Sequence, residues 1–190
     1  SLAILIPLAW LNLNGGASIA GFTDQNLIYV TILADLVFCF FNFRPRGKAK
    51  CFAGDVGSVG VAFILVYMVG ALILKTGDFT YIMLLALYGV DSVLTIVHRI
   101  LLHENIGQAH RKHVYQLMAN ELKMSHVTVS VIYMILQLAI AAGLLLIPDT
   151  ALWHWGYLFV VLLLLALAYV LFKKKYYHLH EEYLATLKNV

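Results

Sequence analysis

The sequence is short of charge. Only 12% of its 190 residues are Asp, Glu, Lys or Arg, while 62% are hydrophobic. A soluble domain sits nearer half apolar and a quarter charged, so that class is excluded. Cysteine is scarce too. Cys39 and Cys51 are the two present, and they form neither a metal-type Cys pair nor a disulfide framework. Both read as inert packing thiols in or beside apolar segments. The period-2 alternation over about 10 residues that a membrane β-barrel needs is missing. So is the single short apolar stretch of a secretory signal, because apolar runs recur to the end of the chain. The net charge of +3 is small, and no nucleic-acid partner is expected from it.

What is present is apolar length. Six apolar segments cover about 2–13, 27–43, 59–74, 79–102, 127–147 and 153–172. Several reach the roughly 20 residues that cross a bilayer core. The expected fold class is all-α: a polytopic integral membrane helical bundle, one transmembrane domain over 1–190. The connectors alternate between cation-rich and cation-poor. Arg44, Arg46, Lys48 and Lys50 share one. Arg99, Arg111, Lys112 and Lys123 lie in or beside a long polar one, and Lys173, Lys174, Lys175 and Lys188 are in the tail. Only Lys75 falls on the other side. The positive-inside rule then places about 44–56, 103–126 and 173–190 in the cytoplasm. Within the long connector, "AHRKHVYQLMANELKM" has helical composition, with Val114, Leu117, Met118 and Leu122 as an apolar stripe. This predicts an amphipathic helix docked under the membrane domain.

Polar residues at the edges of these segments are the candidate sites. In "FAGDVGS", residues 52–58, Gly54 and Gly57 allow close backbone approach or positive φ. Ser58 is the expected N-cap of the next helix, whose N-terminus offers free N–H groups and partial positive charge to a phosphate. Asp55 offers a hard oxygen, suited to Mg²⁺ shared with substrate phosphates. Spacing alone leaves Asp55 open between helix cap and metal ligand. Lys48 and Lys50 stand just before it; topology accounts for them, and a second reading has them hold an anion. In a helix, His110 and His113 would share a face and, with Arg111 and Lys112, form a cationic cluster. A zinc site wants four ligands, and no convincing set exists. Diphosphate binding and contact with anionic lipid heads stay open for this cluster. Asp35 and Asp91 lie inside apolar runs and are expected to face the bundle interior or a polar cavity. Arg99 follows Asp91 two helical turns on; Asp35 is read as a packing residue.

Three stretches, in order over about 42–116, resemble motifs of the polyprenyl-phosphate N-acetylhexosamine-1-phosphate transferases. They are "NFRPRGKAKCFAGDVGS", "YGVDSVLTIVHRILLHENIG" and "AHRKHVYQ". The resemblance implies transfer of an N-acetylhexosamine-1-phosphate, GlcNAc-1-phosphate by the wording of the motifs, from a UDP-sugar to a membrane polyprenyl phosphate. UMP would leave, and cell-envelope glycan synthesis would begin. Mg²⁺ is the implied cofactor, with Mn²⁺ as a substitute. The implied setting is a bacterial cytoplasmic membrane with the active-site face and C-terminus in the cytoplasm, and a homodimer accords with the superfamily. By carry-over, Asp55 looks like the catalytic carboxylate and Mg²⁺ ligand. Lys50, Gly54, Gly57 and Ser58 look like substrate-binding positions, and His110, Arg111 and His113 look like part of the sugar-nucleotide site. Asn42 also matches, without an assigned role.

The departures are as informative. The family's Asp-Asp motif and its Asn-x-x-Asn…Asp-Gly-x-x-Gly stretch are absent, and the His motif holds two histidines rather than an unbroken run. The chain is therefore expected to be the C-terminal part of a larger bundle, inactive alone, with an active full-length protein. The competing reading is a non-catalytic membrane scaffold or lipid-binding module of the same fold. A carrier using Asp35 and Asp91 is the third, and no internal repeat supports it.

Overall fold

The computed structural model describes residues 1–44, 47–108 and 110–188, of which 183–188 by backbone alone. Among the described residues every regular element is helical. The order is α1 (Leu2–Asn14), α2 (Gln25–Asn42), α3 (Gly54–Thr76), a 3₁₀ helix (Phe79–Leu85), α4 (Ala86–Leu101), α5 (Val114–Asn120), α6 (His126–Leu146) and α7 (Ala151–Lys188). Five stretches are long and apolar enough to cross a bilayer: Gln25–Asn42, Gly54–Thr76, Phe79–Leu101, His126–Leu146 and Ala151–Glu182. The protein is thus a polytopic helical bundle, as the apolar runs require.

Two of the six expected segments differ. The first forms α1, whose 13 residues reach about 20 Å, short of a bilayer core of about 30 Å. The last does not stop before "KKKYYHLH". No Gly or Pro interrupts the chain there, and α7 continues as one helix of 38 residues, about 57 Å long. That is longer than the roughly 30 Å of a bilayer core.

Successive spans run in opposite directions. The ends of α2, α4 and α7 and the starts of α3 and α6 therefore share one face. That face carries Arg44, Lys48, Lys50, Arg111, Lys112, Lys123 and Lys173 to Lys175, whereas Lys75 sits at the opposite end of α3. Arg46 and the side chain of Lys188, counted with the same cations, lie outside the described residues.

Local chemistry sets the element ends. The Asp24 carboxylate accepts the Asn26 N–H at 2.9 Å and caps α2. Ser125 caps α6 by accepting the Thr128 N–H at 3.0 Å. Gly77, at φ 69°, closes α3 in the left-handed region. The core has two parts. On the cation-poor half, Leu5 and Leu8 of α1 meet Met68 and Leu72 of α3, Met83 and Leu84 of the 3₁₀ helix, and Leu144 of α6. On the basic half, Leu87, Ala119, Val129 and Tyr133 form a smaller core with Tyr115, Met118 and Leu165.

That second core corrects the expectation for the long connector. It is not a helix lying under the bundle. Among the described residues of the connector only Val114–Asn120 is α-helical, and this short α5 is packed among α4, α6 and α7. The backbone N–H of Val114 reaches the Asp91 carboxylate, about 15 Å along α4 from Leu101. The connector leaves α4, turns back, and re-enters the bundle. Irregular backbone at such depth is tolerated when it is buried in protein.

Candidate functional site on the basic face

Arg99 organises the first half of the connector. It is 2% exposed, in the last turn of α4. A guanidinium has five N–H groups, and here each has an acceptor. Nε donates to Oε2 of Glu104 at 3.2 Å. One terminal nitrogen serves the Ile106 carbonyl at 3.1 Å and Nδ1 of His110 at 2.9 Å. The other serves the carbonyls of Asn105 at 2.6 Å and Gln108 at 3.1 Å. A single side chain thus gathers Glu104, Asn105, Ile106, Gln108 and His110 around itself.

Asp91, two turns deeper and 5% exposed, organises the second half. Its Oδ1 accepts from the Val114 N–H at 3.0 Å and from the Thr95 hydroxyl at 3.3 Å. Its Oδ2 faces the Tyr133 hydroxyl at 3.5 Å and Nδ1 of His113 at 3.7 Å. The Thr95 hydroxyl also meets that of Tyr169 at 3.1 Å. Between these anchors the rings of His110 and His113 lie 5.0 Å apart, and His113 stacks on Tyr115 at 5.4 Å. The two histidines are brought together, but not by sharing a helical face. Both precede α5, with His113 as its extended N-cap residue at ψ 151°.

A third anchor comes from α7. Lys173, 7% exposed, donates its ammonium to the Lys112 carbonyl and lies over the rings of Tyr169 and Tyr177, at 5.4 and 4.9 Å. Lys112 in turn pairs with Glu104. Further along, Nδ1 of His180 meets Oε1 of Glu121 at 2.6 Å, both side chains buried. Electrostatics follow the geometry. The hydrogen bond from Lys112 holds the Glu104 carboxyl below its usual range against partial burial, with Arg99 adding to it. Burial pushes His110 below the ordinary imidazole value, and the Arg99 and His113 charges push the same way. Burial works most strongly against charge on Lys112, but Glu104 and Tyr177 together outweigh it and raise its pKa.

The start of α3 is a separate locality. Gly54, at φ 60°, opens the helix and needs the freedom of glycine. Asp55 lies in the first turn and is exposed. Ser58 is not the N-cap: α3 begins four residues earlier, and the Ser58 hydroxyl donates to the Asp55 carbonyl at 3.1 Å. Gly57 is an ordinary helical residue and does not adopt positive φ. Lys50 and Arg111 are exposed. Asp55 shares the basic face with the histidine pair, but no hydrogen bond or ion pair among the described residues joins them. Nor do three His, Cys, Asp or Glu side chains gather to hold a metal ion among those residues. A lone exposed carboxylate does not by itself fit a Mg²⁺ site.

Sequence reading had noted Asp91 and Arg99 without their role, and had taken Lys173 for a topology marker. A signal was available: Asp91, Thr95 and Arg99 recur every fourth residue, as do Tyr169, Lys173 and Tyr177, so each set makes a polar stripe on an otherwise apolar helix. Asp35 is half-buried and accepts the Ser1 hydroxyl, which agrees with a packing role. Cys39 and Cys51 are both free thiols.

No family model, curated protein or solved structure matches the chain.

Proposed function

We propose that the full-length protein carrying this chain transfers an N-acetylhexosamine-1-phosphate, GlcNAc-1-phosphate first among them, from a UDP-sugar to a membrane polyprenyl phosphate. The observation that supports the reading is the gathering, on one cation-rich membrane face, of the Gly-Asp helix start and a histidine pair fixed by buried Arg99 and Asp91. A nucleotide-sugar would approach this face from the water, and a polyprenyl phosphate would present its head there from the bilayer. Intramembrane Arg and Asp are costly; the connector supplies an acceptor for each N–H of Arg99, and Val114, Thr95 and Tyr133 meet Asp91, which supports a built site rather than a lipid-facing accident.

The face would be cytoplasmic, in a bacterial inner membrane, by the charge asymmetry. The roles follow from placement. Lys50 and Arg111, exposed beside the two localities, would hold phosphate oxygens as cations. Asp55 would supply one oxygen to a Mg²⁺, or Mn²⁺, that arrives with the diphosphate. The other ligands would come from the phosphates and from elsewhere in the full-length protein. The test is Asp55→Asn in that protein. Transfer from UDP-GlcNAc should fall at least about 100-fold, with helix content and thermal midpoint unchanged. Unchanged transfer would remove the role of Asp55.

One observation favours a second reading. The lone carboxylate and the absence of a metal-type cluster among the described residues suit a non-catalytic membrane module of the same fold. Full-length protein that binds polyprenyl phosphate without turning over any UDP-N-acetylhexosamine would decide for it.

A further inference from the structure

Three lysines in a row end the apolar stretch of α7, and helix geometry sends them different ways. From Ala151 to Phe172 the helix holds no Asp, Glu, Lys or Arg. Lys173 turns inward and donates to the Lys112 carbonyl. Lys174 and Lys175, rotated from it by about 100° and about 200°, are exposed. Neither makes an ion pair with a carboxylate among the described residues. Each closes an apolar row on the outer face of the helix. Leu163, Leu167, Val170 and Lys174 stand in line at helical spacing, all exposed. Leu164, Ala168, Leu171 and Lys175 form the next row, also exposed, with a dip at the small Ala168. At the far end of the same face Trp153 is exposed. Tryptophan favours the membrane–water interface. From Trp153 to Lys174 the helix rises about 32 Å, against about 30 Å for a bilayer core. With Trp153 at one interface, both ammonium groups stand at the phosphate level of the other leaflet, and the two rows face acyl chains.

We propose that this face of α7 binds an anionic two-chain phospholipid from the leaflet on the basic face, with its phosphate between Lys174 and Lys175 and one acyl chain along each row. Charge complementarity selects the headgroup. A zwitterionic lipid would bring its own cation against two ammonium groups that no carboxylate relieves, whereas a phosphodiester without a cation satisfies both. Two adjacent rows suit two chains, and a single polyprenyl chain would fill only one. The site is separate from the transfer chemistry. It lies on the outward side of α7, while Tyr169 and Lys173 on the inward side are buried against α4 and the connector.

The test is native mass spectrometry of the full-length protein released from nanodiscs of equal phosphatidylcholine and phosphatidylglycerol, reading the lipid that stays bound. The wild type should retain phosphatidylglycerol over phosphatidylcholine. Lys174→Gln/Lys175→Gln should lower that retention about tenfold, and Lys174→Arg/Lys175→Arg should keep it. Ala168→Phe leaves both charges and fills the dip, and it should lower retention as well. Lys48→Gln/Lys123→Gln removes the same charge from exposed positions elsewhere on the basic face and should leave retention near wild type. No preference in the wild type would overturn the proposal. Equal loss in the two Gln double variants would also overturn it, by showing a diffuse charge effect. Displacement of the bound phosphatidylglycerol by an equal amount of polyprenyl phosphate would overturn the two-chain assignment. A second copy on this face is read from Leu171→Cys: a disulfide-linked dimer under mild oxidation, absent from the unsubstituted protein, would replace the lipid as occupant.

Discussion

His110 works as a neutral ring. It accepts from Arg99, and its charged form is opposed by burial, Arg99 and His113, which outweigh the Gln108 backbone and Glu104 that favour it. A group whose folded pKa is depressed contributes stability that is complete above its unfolded value and is lost as pH falls through the folded one. For His110 that loss begins below the ordinary imidazole value. For Glu104, also depressed, it begins below the ordinary carboxyl value. The connector should therefore loosen in two steps on acidification. The protection factors of amides 104–108 and 110–113, taken against intrinsic exchange at each pH, should fall first between about pH 7 and about pH 5. His110→Gln should remove this first step and keep the second. A single transition confined to the carboxyl range would contradict the role of His110. These residues were only half legible beforehand. The sequence shows Asp91, Thr95 and Arg99 on one face of an apolar helix, and that stripe predicts a buried partner. It does not show that the partner is the backbone of a segment up to 23 residues further on.

At the scale of elements, the junction between the 3₁₀ helix and α4 shows how a mid-bundle irregularity is made tolerable. A seven-residue 3₁₀ stretch is long for its kind, and its change to α-helix leaves backbone groups without intrahelical partners. Gln137 of α6, 4% exposed, adds a donor and an acceptor there. Its Nε2 donates to the Met83 carbonyl at 3.1 Å, and its Oε1 accepts the Leu87 N–H at 3.2 Å. Gln137→Leu would take the side-chain acceptor from the Leu87 N–H and one of two donors from the Met83 carbonyl, which also accepts the Ala86 N–H, at a cost of about 1–3 kcal/mol. The thermal midpoint in detergent should drop, with the helical circular dichroism before melting unchanged. No drop would show that water already serves the junction. From sequence the stretch reads as a single apolar segment over 79–102, because hydropathy does not see a change of helix type. Close approach is equally invisible. At Gly143 an added Cβ would fall 2.0 Å from the Tyr157 hydroxyl, which donates to the Ile140 carbonyl at 3.0 Å and locks α7 onto α6.

For the whole molecule, apolar length and the alternation of basic connectors were enough to read the fold class, since a bilayer admits few other solutions for such a chain. The path of the long connector was not legible. Its composition is helical, yet its position is dictated by three buried side chains, Asp91, Arg99 and Lys173, that lie outside it on α4 and α7. Long-range satisfaction of buried charge overrode local propensity. The long α7 adds a strap. Its extension carries Lys173, Tyr177 and His180 onto the connector and α5, so the basic face is tied to the bundle from two helices.

The account's central claim is a chemical one, that a phosphoryl group stays with the sugar when the nucleotide leaves. The direct measurement is product analysis after mixing the full-length protein, polyprenyl phosphate and UDP-GlcNAc labelled in the β-phosphate. The account predicts UMP in the water phase, with the label in a polyprenyl-diphosphate-linked sugar. Labelled UDP in the water phase, or no turnover of any UDP-N-acetylhexosamine, would contradict it.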